Sequence, residues 1–195
     1  MKTILPGLIK GGLLSLLLGM SPSVISADPP AAAEKSAVVT VDEKQAAENR
    51  AKAKVAWNSD RQKLSADQFS EMEKEYQEIN QNFKAPNVKE LLAKFIEKWK
   101  TGNRVGCATL YLAQKSGGPA REELLKKCVG EFSDNYYLNG AQVGGMGRLF
   151  LAGYYRQTGR VDEAKKLAAE LRKDFANAQN HQRQSVVALL ADIEK

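Results

Sequence analysis

The sequence predicts an all-α chain in which antiparallel helical hairpins stack on one another behind a disordered N-terminal tail. Three observations predict it. From residue 64 onward, apolar residues recur at spacings of three and four, the period of a helix with one buried face. Gly, Pro and Asn punctuate those runs with turns short enough to fold each helix back on the one before. No stretch alternates apolar and polar residues long enough to build a sheet. The one β-like run, Val38-Val39-Thr40-Val41, is short and lies in the tail.

Residues 1–27 have the form of a secretory signal peptide. Lys2 and Lys10 give a positive start, Gly11–Met20 is a short apolar run, and Ser26-Ala27 offers small residues for cleavage. The run is short for a membrane span, and no Cys follows it to take a lipid. The chain is therefore expected to be exported, to the periplasm or beyond, with no membrane span in its mature part. Residues 28–63 read as a disordered or weakly helical linker. Pro29-Pro30-Ala31-Ala32-Ala33 is a tail composition, and Glu43–Lys54 is Ala, Lys and Glu with almost no large apolar residue to bury. Residues 64–195 remain as one helical domain, long enough for a core of several helices.

Within that domain, Ser65-Ala66-Asp67-Gln68 is a capping box. Phe69, Met72, Tyr76, Ile79 and Phe83 follow on one narrow seam. The seam packs on its own domain or, as a three-four stripe also permits, pairs with a second copy through helix 65–83. Pro86 breaks the chain, and Asn87 opens a helix burying Leu91, Leu92, Phe95, Ile96 and Trp99, which Gly102 ends. Asn103 is placed to cap the next helix, with Val105, Leu110, Leu112 and Ala113. After Gly117-Gly118-Pro119 comes its partner, with Leu124, Leu125, Cys128, Val129 and Phe132.

Cys107 and Cys128 lie symmetrically about the Gly117-Gly118 turn, at one height on facing helices. In an exported chain that leaves two readings open, a structural disulfide or two buried small hydrophobes. Asp134–Gly140 is a loop with adjacent aromatics, Tyr136 and Tyr137. Gly140, Gly144, Gly145 and Gly147 then lead into a helix, either for close helix contact or as a flexible start that lets the two tyrosines move over a groove. No Gly-Lys-Ser/Thr follows to make a phosphate loop.

Leu149, Leu151, Ala152 and Tyr155 stripe that helix, and Gly159 suits its left-handed end. Asp162 and Glu163 open the next helix, Ala164, Leu167, Ala168 and Leu171 stripe it, and Arg172 and Lys173 suit its C-terminus. Leu151, Ala152, Tyr155, Gly159 and Ala164, with Val161 and Leu171, resemble a tetratricopeptide repeat, whose unit spans about 34 residues. The likeness covers about one sixth of the chain. Arg148, Ala168 and Ala176 depart from the family's Trp-like, aromatic and Pro positions. Leu110-Tyr111-Leu112-Ala113 is echoed 39 residues later by Leu149-Phe150-Leu151-Ala152, as a degenerate second repeat would be. Ser185, Val186, Val187, Leu189, Leu190 and Ile193 read as a last helix covering the open face of 145–178.

Net charge is +6, and without Lys2 and Lys10 it is 27 basic against 23 acidic residues, or +4. Lys and Arg alternate with Glu and Asp along the helices, the pattern of solvated faces and not the basic stripe of a nucleic-acid binder. No residue set suggests a catalytic, metal or cofactor site. His181 is the one His, far along the chain from both cysteines, and reads as a surface or capping residue. The resemblance implies a non-catalytic scaffold that binds a protein or peptide in a groove. On helix A that groove is faced by Met146, Leu149, Gly153, Arg156 and Gln157. Leu149 and Gly153 stand where some such repeats carry a basic clamp, which leaves Arg156 to meet an acidic group. The alternatives are an accessory domain or enzyme with a small-ligand site near Tyr136, Tyr137 and His181, and a structural subunit assembling through helix 65–83.

Overall fold

The computed structural model describes residues 39–194. The leader expected at 1–27 and the first part of the expected linker lie outside the described residues. The described chain is all-α. Helix α1 spans Glu43–Lys63, α2 Ala66–Gln81, α3 Val88–Trp99, α4 Asn103–Lys115, α5 Gly118–Val129, α6 Val143–Gln157 and α7 Val161–Asp174. A 3-10 turn at Ala188–Leu190 and a four-residue helix, α8, at Ala191–Glu194 complete it. Strand pairing among the described residues is confined to isolated antiparallel bridges, Thr40 with Gln184, Tyr136 with Gln142 and Gln179 with Ser185.

From α3 to α7 each helix packs on the next in sequence, most extensively in the α6/α7 hairpin and then equally in α4/α5 and α5/α6. Helix α5 lies between α4 and α6, and α4 also touches α6. Helix α2 packs on α3, and α1 lies against α4 with its end on α2. Leu92, Leu110, Leu125 and Leu171 are fully buried along this stack. Full burial of such a side chain contributes about 1.5–3 kcal/mol each.

Helix α1 corrects the expected linker. It is N-capped by Asp42, whose carboxylate accepts the Gln45 N–H at 2.8 Å, and it runs for 21 residues. Its buried face is Ala46, Asn49, Ala53, Trp57 and Asp60, small or polar except for Trp57. Asn49 donates to the Asn177 carbonyl and the Gln179 side chain. Asp60 reaches the start of α4, where its carboxylate accepts the N–H groups of Asn103 (2.7 Å) and Arg104 (3.0 Å) and the Arg104 Nη1 (3.0 Å). The free N–H groups of a helix start are thus satisfied from another helix. Arg104 also pairs with Glu73, and its guanidinium lies 4.1 Å from the Trp57 ring and 4.9 Å from the Phe69 ring. A charge that is only 4% exposed is tolerable because each side of it is paired.

The capping box at Ser65 forms, with Gln68 donating its N–H to Ser65 and accepting from the Ser65 N–H. The seam of α2 turns inward, since Met72, Tyr76 and Ile79 are buried in the chain's own core. Asn103 does not cap α4, because Asp60 has that place. Its side chain instead donates to the Tyr136 carbonyl and accepts the Tyr136 N–H, both at 2.8 Å. Helix α3 ends with Lys100 at φ 59°, ahead of Gly102.

Glycines at the start of α6 serve close contact. A Cβ on Gly144 would lie 2.3 Å from the Ser133 carbonyl oxygen, and one on Gly147 would lie 2.9 Å from the Cβ of Cys128. The last expected helix is shorter than its apolar pattern implied. Residues 183–185 are held by backbone bonds to Val39 and Val41, so helical turns begin only at Ala188. Val186 and Leu190 are buried all the same. Among the described residues no helix is long and apolar enough to cross a membrane.

Candidate functional site

A groove of about 350 Å³ lies between α2 and α3, lined by Ile79, Leu91 and Phe95 with Glu75, Lys94 and Lys98 at its edges. Two further concave sites hold the residues singled out from the sequence. The first is a groove of about 330 Å³ on α6. Leu149, Phe150, Gly153 and Gln157 line it along one helix face, Leu189 and Ile193 border it from the C-terminal segment, and Arg121 reaches it from α5. Of the five positions expected to face a groove, Leu149, Gly153 and Gln157 are brought together there. Met146 is not; it is buried beneath. Arg156 turns to the C-terminal end, donating to the Glu194 carbonyl at 3.4 Å. The cation in the groove is instead Arg121, and its Nε is enclosed without a hydrogen-bond partner. Reading α6 alone missed it, because Arg121 lies on α5 and enters only when the hairpins stack.

The second site is a cleft of about 290 Å³ where Trp57 of α1, Tyr76, Gln77 and Asn80 of α2, Tyr111 of α4, the loop residues 137–139 and His181 converge. Its rings are tilted on one another. Tyr111 and Tyr137 are 5.0 Å apart at 52°, and Tyr137 and His181 are 4.5 Å apart at 71°. Tyr137 is buried, and its hydroxyl donates to the Cys107 carbonyl at 2.8 Å. Tyr136 points elsewhere, into a separate polar hollow beside Asn49 and Lys173. The loop that carries both tyrosines is tied to three neighbouring side chains. The Tyr136 carbonyl accepts from Trp57 Nε1 at 2.6 Å, from the Asn103 amide at 2.8 Å and from the Cys107 thiol at 3.4 Å. The reading of a flexible start to α6 is therefore replaced by a clamped one.

His181 is half-buried at the edge of the cleft, against tyrosines and outside any helix end. The Asn139 amide oxygen accepts the Ala141 N–H, which turns its NH2 toward His181 Nδ1 at 3.1 Å. Nδ1 accepts, so the ring proton is on Nε2, which is enclosed and has no partner. Burial pushes the His181 pKa below its ordinary value, so the ring is neutral at pH 7. Burial lifts the Tyr111 phenol to about 12 and Tyr137 well above its ordinary value, so both stay protonated. Among the described residues no carboxylate, Lys or Arg lines the cleft.

The cysteines do not bond to each other; both are free and buried. Cys107 faces the Tyr136 carbonyl, whereas Cys128 faces α6 at Gly147. Of the two readings left open by their spacing, the structure has the buried thiols. Burial raises Cys107 well above the ordinary thiol range and Cys128 to about 12, which removes nucleophilic character from both. Among the described residues no group of three or more His, Cys, Asp or Glu is placed to hold a metal ion.

No protein-family model, curated protein or solved structure matches the chain.

Proposed function

We propose that the chain is an exported, non-catalytic binding module of the tetratricopeptide-like kind, and that the groove on α6 takes an extended peptide segment of a partner protein. The observation that carries this reading is the equivalence of α4 and α6. The two echoed four-residue runs lie 39 residues apart on the first helix of successive hairpins, with Leu110 and Leu149 buried, Ala113 and Ala152 buried, and Tyr111 and Phe150 half-exposed. Tyr111 opens onto the cleft and Phe150 onto the groove. Successive repeats thus present equivalent side chains, which is how stacked hairpins build binding surfaces.

The groove chemistry narrows the peptide. An apolar floor of Leu149, Phe150 and Ile193 suits aliphatic or aromatic side chains. Arg121, with an unsatisfied N–H and no carboxylate lining the same groove, suits one acidic group. A non-catalytic role is supported by the phenols and the buried thiols, which stay protonated near pH 7, and by the His181 Nδ1 lone pair, which is taken by the Asn139 amide. The inward seam of α2 favours this reading over assembly through helix 65–83.

The test is affinity capture from envelope extract with three forms of the protein. The parent is compared with Arg121→Glu, which reverses the groove's charge, and Gly153→Trp, which fills the groove from a helical position whose nearest neighbour is Ile193 Cδ1 at 3.7 Å. A partner captured by the parent and lost by both variants is the expected result. A partner set that survives both, or that is lost only when Arg156 is changed, removes the groove from the account.

A further inference from the structure

We infer that the aromatic cleft between α1, α2, α4 and the 137–139 loop is a second binding site, and that it takes one ring of a neutral glycan. It is distinct from the α6 groove and does not depend on it.

Four features of the cleft choose the ligand class. First, its walls are aromatic rings tilted at 52° and 71° on one another, with Tyr111 and His181 half-exposed at the surface and Tyr137, Tyr76 and Trp57 nearly buried beneath them, a faceted hollow and not a parallel slot. The one near-parallel pair, Tyr111 and His181, has centroids 6.2 Å apart, too close to admit a flat base between the rings. A puckered sugar presents C–H groups in several directions and packs on such facets. Second, the polar groups among the facets include the carboxamides of Gln77 and Asn80, each able to donate and accept to the paired hydroxyls of a sugar, while the Asn139 amide is held by Ala141 and His181. Third, the Nε2–H of His181 lacks a partner and has no open surface, and a slight opening of the cleft would let a ring hydroxyl satisfy it. Fourth, among the described residues no charged side chain lines the cleft, although 27% of the chain's residues are charged. An organic cation would find no counter-charge, and a phosphorylated ligand would find no Arg or Lys. Leu138, 52% exposed, forms an apolar lip. A volume of about 290 Å³ is at the small end for ligand pockets and suits a single ring whose neighbours continue outside.

The site can be read by fluorescence, since Trp57 lines it and Trp99 lies apart on α3. In Trp99→Phe protein, titration with the trisaccharide of N-acetylglucosamine and with cellotriose is expected to give a saturable change for at least one, with Kd of roughly 0.1–1 mM. Tyr111→Ala is expected to weaken it about tenfold, the loss of one stacked face. Gln77→Ala, exposed on α2, and His181→Phe, which keeps the ring but removes the Nε2–H, should each weaken it several-fold with unchanged circular dichroism. They carry the test if Tyr111→Ala does not fold. Three results would overturn the inference: no saturation by either trisaccharide up to about 10 mM, saturation indifferent to Gln77→Ala and His181→Phe, or saturation by adenosine monophosphate or tetramethylammonium in place of the sugars.

Discussion

Asp60 tests how α1 is joined to the domain. Its carboxylate, 2% exposed, is the sole side-chain cap of α4 and the buried counter-charge of Arg104. Asp60→Ala leaves the N–H groups of Asn103 and Arg104 without acceptors and leaves a guanidinium that is 4% exposed with Glu73 as its one ion-pair partner. Orphaning a buried donor costs about 1–3 kcal/mol, and removing one member of a buried ion pair costs about 3–5 kcal/mol. The losses share one carboxylate, so they do not add, and about 3–5 kcal/mol in total is expected. For a domain of this size each kcal/mol moves Tm by about 2–4 °C, so Tm should fall by roughly 6–20 °C. Urea unfolding followed at 222 nm measures the change directly. In a double-mutant cycle with Arg104→Met the two substitutions should be strongly non-additive, because Met leaves no buried charge to orphan. A loss below about 0.5 kcal/mol for Asp60→Ala, the size of an ordinary surface change, would refute the reasoning.

Three further predictions concern packing and titration. Gly147→Ala places a methyl group 2.9 Å from Cys128 Cβ and should destabilise by about 1–3 kcal/mol, whereas Gly117→Ala, with open space around it, should be near neutral in the same urea assay. Without reductant, both cysteines should resist a thiol reagent at pH 8 in the folded protein and both should react once the chain is unfolded in guanidinium; absence of reaction in guanidinium would mean that they are bonded. The Lys126 ammonium and the Arg160 guanidinium hold the Glu122 carboxyl down to about 2, from an ordinary 4.5. A depressed carboxylate stabilises fully above its unfolded value, and that contribution is lost as pH falls toward the folded one, so Glu122→Gln should flatten the decline of Tm between about pH 4.5 and 2.

The α6/α7 hairpin was legible in the sequence because each of its features is local. Its apolar residues are regularly spaced and include Leu149, Leu151, Tyr155, Leu167 and Leu171, Gly159 takes φ +78°, and the end charges match the helix dipole. Helix α1 was not legible by the same rule, since Trp57 is its one large buried residue. Its seam is nonetheless periodic: Ala46, Asn49, Ala53, Trp57 and Asp60 recur at three and four, and counting small and polar residues would have found it. Asn49 and Asp60 are buried because distant backbone groups need them, the 177–179 segment for one and the start of α4 for the other. For the same reason half of each site was hidden. Leu149, Gly153 and Gln157 share one helix face, but Arg121 joins them across a hairpin. Tyr137 could be singled out as an aromatic in a loop, but Tyr111, Trp57 and His181 meet it only through contacts separated by tens of residues. The C-terminal stripe reads as one helix because composition does not show that residues 183–185 are bonded to Val39 and Val41.

The groove on α6 is tested most directly by site-specific photocrosslinking, with a benzophenone side chain at Gln157, and at Lys89 on α3 as an exposed control. On exposure to envelope extract, Gln157 should give a discrete adduct with one partner, absent from Lys89 and abolished by Gly153→Trp. Adducts that are the same from both positions, or that persist when Gly153→Trp fills the groove, would contradict the account.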